Sequence, residues 1–132
     1  MQPDAVALVV SYLRGQEHLA GVTVVTARPH DITGPDPVLL VEPVGDPVRS
    51  RMPWARRERW HLGLHAWAPE GEATVIAYGA LTALAAAWGV CIPDAGRIVR
   101  ADPSAGPHDV PDGRVGDGVR RAVATFDVVV RP

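Results

Sequence analysis

Two histidines, His61 and His65, stand four residues apart. On a helix that spacing would place both on one face and suit a metal ion. The residues around them describe a strand instead. Trp60, Leu62, Leu64 and Ala66 alternate with Arg59, His61, Gly63, His65 and Trp67, the period of two of a sheet with one face in a core and the other in wetter surroundings. Four strand residues cover about 13 Å, so the pair cannot hold one ion and reads as two polar-face histidines. Ser104, His108 and Asp109 have the residue types of a hydrolase triad. They crowd into a stretch rich in Pro, Gly and Asp, Asp102 to Gly118, with no G-x-S-x-G elbow and no scaffold to fix nucleophile against base. His30 and Asp31 form a turn pair. Cys91, just past an apolar segment, reads as a small buried hydrophobe rather than a nucleophile. There is no P-loop, G-x-G-x-x-G or C-x-x-C. The residues therefore point to no catalytic, cofactor-binding or metal-ligating set, and to a protein that is not an enzyme. An enzyme would require His61, His65 or His108 to meet an acid in space.

The strongest local charge feature is basic. Arg49, Arg51, Arg56, Arg57 and Arg59 surround Met52, Pro53 and Trp54. Three readings apply: a phosphate-contacting loop, a protein–protein contact built on Arg and Trp anchors, or a solvated hairpin tip with some pairing to Glu58. A Trp within a Pro/Arg loop favours contact. The residues expected to touch partners are Arg49, Arg51, Trp54, Arg56 and Arg57 from this loop, with Asp109, Asp112 and Arg114 from the second.

These candidates must be carried by a small set of elements. Asp4 can cap a helix running to Leu19, with Ala5, Leu8, Val9, Tyr12 and Leu13 forming its apolar stripe and Gly21 as its stop. Strands follow at Val22 to Ala27, Val38 to Glu42 and Arg57 to Trp67, the last two flanking a proline-rich loop or hairpin tip. A second helix spans Glu70 to Trp88, with Glu70 and Glu72 at its positive end. Arg97 to Ala101 is a short strand, Asp102 to Gly118 a long loop, and Val119 to Val130 a final strand with Ala122, Ala124, Phe126, Val128 and Val130 on one apolar face. The order is α-β-β-β-α-β-β. The fold class is α+β: a mainly antiparallel sheet of four to five strands, opening as a meander, with two helices packed on one face.

Ala73 to Ile92 carries no charged residue, a length that would reach across a bilayer. The segment is Ala-rich, holds Thr74, Gly79 and Thr82, and lacks basic anchors, so it reads as a buried helix and no membrane partner is expected. A helix apolar all round needs cover on most sides, from the sheet on one and a neighbouring subunit on another.

Bulk composition fits these elements. The chain has 132 residues, 47% hydrophobic and 21% charged, the size of one domain spanning residues 1–132, which buries roughly two thirds of its unfolded surface. The net charge is −2, which argues against a dedicated nucleic-acid binder. All 13 basic residues are Arg. One cysteine rules out an intramolecular disulfide, and Met1 to Asp4 does not read as a signal peptide.

Taken together, the chain resembles the small tail-terminator (tail-completion) proteins of long-tailed phages (siphophages), especially those infecting actinobacteria. The resemblance rests on the helix Ala5 to Arg14, the strand Val38 to Glu42, the strand Arg59 to Ala68 running into an Ala-rich helix, then Arg97 to Arg100, a Pro/Asp/Gly-rich stretch and a terminal strand ending Ala124 to Val130. It covers nearly the whole chain as a pattern, without an invariant chemical motif. The resemblance implies a virion protein of the tail or neck, assembled in the host cytoplasm. It implies a homo-oligomeric ring, typically a hexamer, that caps the tail tube, stops its polymerisation and gives the head or neck a docking surface. The partners implied are the protein itself, the major tail tube protein and a neck or head-completion protein. DNA would pass through a neutral or acidic lumen without sequence recognition, with Asp102, Asp109, Asp112 and Asp117 among the acids available. The rival readings are another head–tail joining protein and, from a different class, a small bacterial ligand-binding or regulatory α+β domain with a concave apolar pocket.

Overall fold

A computed structural model describes residues 4–29, 36–50, 56–111 and 118–132. The helix α1 covers Ala5–Arg14. Asp4 caps it, its carboxylate accepting from the Ala7 N–H at 3.1 Å and satisfying one of the orphan donors of the first turn. α1 matches its apolar stripe but is shorter than the helix to Leu19 that the sequence predicts. It ends at Gly15, and the chain re-enters a short 3₁₀ turn, Glu17–Leu19, because Leu19 and Val22 must fold back onto the core. The Arg14 guanidinium donates to the Val24 carbonyl at 2.7 Å and fixes that bend.

Seven strands follow among the described residues: β1 (Thr23–Val25), β2 (Val38–Pro43), β3 (Val48–Arg49), β4 (Glu58–Pro69), β5 (Val90–Ile92), β6 (Gly96–Val110) and β7 (Val119–Arg131), with α2 (Glu72–Ala85) between β4 and β5. They form one sheet in the order β1-β2-β4-β7-β6-β5, with β3 pairing β4 off that path. The α+β class stands. The sheet is larger than four to five strands and it is mixed, since β1 runs parallel to β2. The opening meander is therefore corrected. Residues 26–37 separate the two strands, and a connection of about a dozen residues is what a parallel return requires.

The larger correction concerns residues 102–110. Asp102 to Val110 is not loop but the second half of β6, bonded along β7 as far as Val110↔Arg121. Prolines and a glycine disguised it. Beyond Ile98 no strand pairs with the other side of β6 among the described residues, and an edge with register shifts is where a sheet tolerates Pro103 and Pro107. Gly106 sits at one of those shifts with φ 81°. A Cβ there would lie 2.6 Å from the Val123 carbonyl oxygen and 2.9 Å from Ala124 Cα, so only glycine lets β6 lie this close to β7.

Both helices cover one sheet face. Leu39 and Val41 of β2, Leu62, Leu64, Ala66 and Ala68 of β4, Ile98 and Ala101 of β6, and Ala122 to Val130 of β7 meet the helices in one contiguous core. The Tyr12 hydroxyl donates to the Ala83 carbonyl at 2.8 Å and ties α1 to α2. Gly79 admits His18 of the 3₁₀ turn, whose ring carbon would lie 3.3 Å from any Cβ there. α2 buries Ala73, Ala77, Ala80, Leu81, Ala83 and Leu84. Its other side is uncovered: Val75 is 69% exposed and Tyr78 64%. No helix of the described residues is long and apolar enough to cross a membrane.

Candidate functional site

The sheet face away from the helices carries the ionisable residues. Strand pairing arranges them in rows. At one end Val48, Arg59, Val129 and Arg100 lie abreast. Next come His61, Asp127 and Asp102, then Gly63, Thr125 and Ala105, then Leu40, His65 and Val123, and last Val38, Trp67 and Arg121.

This face is less wet than its alternation predicts. His65 is 8% exposed and Trp67 1%. Their neighbours explain it. The His65 and Trp67 rings stack at 6.0 Å, and the Arg121 guanidinium carbon lies 5.6 Å from the Trp67 ring centroid, a cation–π arrangement. Arg121 Nη2 sits 2.7 Å from His65 Nδ1. A guanidinium can only donate, so Nδ1 is the acceptor and the ring proton is on Nε2. That proton is donated to Glu42 Oε1 at 2.7 Å. Arg28 Nη2 approaches the same carboxylate oxygen at 3.6 Å. Burial, with help from the Arg121 and Arg28 charges, depresses the His65 pKa below its ordinary value against the opposing pull of Glu42. His65 is thereby held neutral with both ring nitrogens occupied. The arrangement suits cross-strand fixation, linking β2, β4 and β7, better than proton transfer to a substrate.

His61 also meets an acid. Its Nδ1 lies 2.8 Å from Asp127 Oδ1, with side chains 39% and 41% exposed. Two histidines thus meet the condition that an enzyme would require. The triad suggested by Ser104, His108 and Asp109 is not assembled, however. Ser104 Oγ pairs with Thr125 Oγ1 at 2.9 Å, Asp109 accepts from Thr74 Oγ1 at 3.3 Å, and His108 is exposed. His61 and His65 take separate carboxylates, and no cluster of three metal-ligating side chains occurs among the described residues. Cys91 is exposed, not buried. Val90 and Ile92 turn inward to the core, which sends the residue between them outward on β5.

The basic region forms a cleft of about 570 Å³ at the end of the sheet where β4 and β6 begin. Arg49, Arg57, Arg59 and Arg100 line it with Glu58, Val48 and Trp88. Glu58 is buried, accepts from Trp60 Nε1 at 3.0 Å and pairs with Arg49 Nε at 3.1 Å. The pairing to Glu58 expected of a hairpin is therefore present. The Ser50 N–H donates to the Arg57 carbonyl at 2.9 Å and closes the β3–β4 hairpin. Arg57 and Arg59 have no carboxylate partner among the described residues. Trp88 is 71% exposed and Val48 68%.

Of the residues expected to touch partners, Arg49 and Arg57 line this cleft and Arg56 is exposed beside it. Asp109 stands on β6 toward the far end of the sheet. Arg51, Trp54, Asp112 and Arg114 lie outside the described residues. Sequence reasoning missed Trp88 and Arg100 as cleft residues, and missed the Glu42–His65–Arg121–Trp67 cluster. The one available signal was alternation in β7, which sets Arg121 on the face opposite Ala122. Nothing local ties Glu42 to a histidine more than twenty positions on.

No protein-family model matches the chain, and no curated protein matches it. Among solved structures, one aligns with 93% of this chain and 87% of its own at 13% identity and a TM-score of 0.37. A likeness of that degree carries no argument about function.

Proposed function

We propose that this chain is a structural virion protein, a ring-forming tail terminator that caps a phage tail tube, stops its growth and offers the head or neck a docking surface. It works by self-association and catalyses no reaction. The observation that carries the reading is the uncovered side of α2. Val75, Tyr78 and, just past the helix, Trp88 are each more than 60% exposed. Apolar surface of this kind on a small domain marks an interaction site. The Arg-lined cleft adjoins it. The resemblance drawn from the sequence supplies the station on the tail, and another head–tail joining role is the nearest alternative.

The ligand-binding alternative calls for a concave apolar pocket. The cleft at the β4–β6 end sets Arg49, Arg57, Arg59 and Arg100 beside Val48, Val99, Val129 and Trp88, a mixed charged and apolar lining that favours a protein contact. The test is negative-stain electron microscopy of the purified protein, alone and mixed with tail tubes from the phage that encodes it. Rings, or caps at one end of tubes of uniform length, are expected. A protein that stays monomeric or dimeric and leaves tube length unregulated would overturn the reading.

A further inference from the structure

The two ends of the sheet differ in charge. At the β4–β6 end stand Arg56, Arg57, Arg59, Arg97 and Arg131 in addition to Arg49 and Arg100. Glu58 takes Arg49 and Asp102 takes Arg100, and Asp46 and Asp94 are the other acids nearby. At the opposite end, where β4 finishes and α2 begins, the exposed acids Asp36, Glu70, Glu72 and Asp109 outnumber the exposed arginines Arg14 and Arg120 among the described residues, and exposed His108 stands beside Asp109.

These ends cannot neutralise each other within one molecule. β4 has 12 residues, which at about 3.3 Å each separates them by roughly 40 Å. Charges are screened beyond about 8 Å at physiological salt. Neither end neutralises the other, so the excess charge of each is open to a complement on another molecule. The basic end also presents apolar anchors, Val48 and Trp88, inside its cleft, and Trp88 joins that cleft to the exposed side of α2. One neighbour can cover both.

We infer that the Arg57/Arg59/Trp88 cleft of one copy receives the Glu70/Glu72 end of a second copy, head to tail. This rests on the self-associating role proposed above and names its contact. A contact between two different patches propagates and closes into a ring when the rotation permits. The charges set which end meets which, and the indole supplies the buried anchor.

Charge reversal tests this. All four side chains are exposed, so the variants are expected to fold, checked by circular dichroism and melting. One variant carries Arg57→Glu and Arg59→Glu, the other Glu70→Arg and Glu72→Arg. Each alone sets like charges against like, and sedimentation velocity is expected to show association weakened at least ~100-fold. Mixed in equal amounts, the two become complementary at every contact, and the assembly is expected to return. If wild type assembles and either variant assembles equally well, or if the mixture stays dissociated, the head-to-tail contact is wrong while self-association stands. If wild type itself never associates, the self-associating role fails and this contact fails with it.

Discussion

The two faces of the sheet are built on opposite rules. On the helix side, Leu62, Leu64, Ala124, Phe126 and Val128 are fully buried, and each contributes through the area and contacts it loses to water. On the other side, His61, His65, Trp67, Arg121 and Asp127 come from the same two strands at the alternate positions. There side chains are held by named partners, one for His61 and three for His65. The first face resists change in proportion to volume. The second resists it according to whether the partner left behind is buried. The charged ends differ again, since they lie too far apart to neutralise each other.

The largest loss is expected at Phe126. Phe126→Ala is expected to cost about 3–5 kcal/mol, seen as a lower denaturation midpoint with an unchanged slope. A loss under about 1 kcal/mol would show that the core face is not the main source of stability. Gly106→Ala comes next. Its Cβ would meet β7 backbone, and at a positive φ the loss is expected to exceed about 1 kcal/mol.

His65 sharpens the contrast through pH. It faces Glu42 on one nitrogen and Arg121 on the other, with Arg28 nearby and Trp67 stacked on it. Its folded pKa is depressed, so the unfolded chain binds the proton more readily. The contribution is complete above the unfolded value of about 6.5 and is lost as pH falls through the depressed folded value. Protonation would put an N–H against the guanidinium. Melting temperature followed from pH 8 to 5 is expected to fall more steeply in wild type than in His65→Gln; parallel curves would contradict the assignment. The smallest effect belongs to Asp127→Asn. Its pair with His61 is about two-fifths exposed, and such pairs contribute up to about 1 kcal/mol, so a change within about 0.5 kcal/mol is expected in urea denaturation.

What could be read from the chain follows this division. The core face of β4 and β7 was legible because a buried face imposes a strict period of two, as Ala122 to Val130 shows. The second half of β6 was not, because Pro103, Gly106 and Pro107 carry loop propensity that an open ladder on β7 overrides. Cys91 was misplaced because its exposure depends on β5 pairing with β6, a tertiary fact. The Arg cluster was legible as charge. Its cleft was not, because Trp88 arrives from the turn after α2 and Arg100 from β6. Glu42 and Arg121 flank His65 only because β2 and β7 pair with β4 on either side.

Native mass spectrometry of the intact protein at micromolar concentration reads self-association itself. One closed species of fixed subunit number that dissociates as salt is raised is expected. A monomer persisting at every concentration and ionic strength would contradict it.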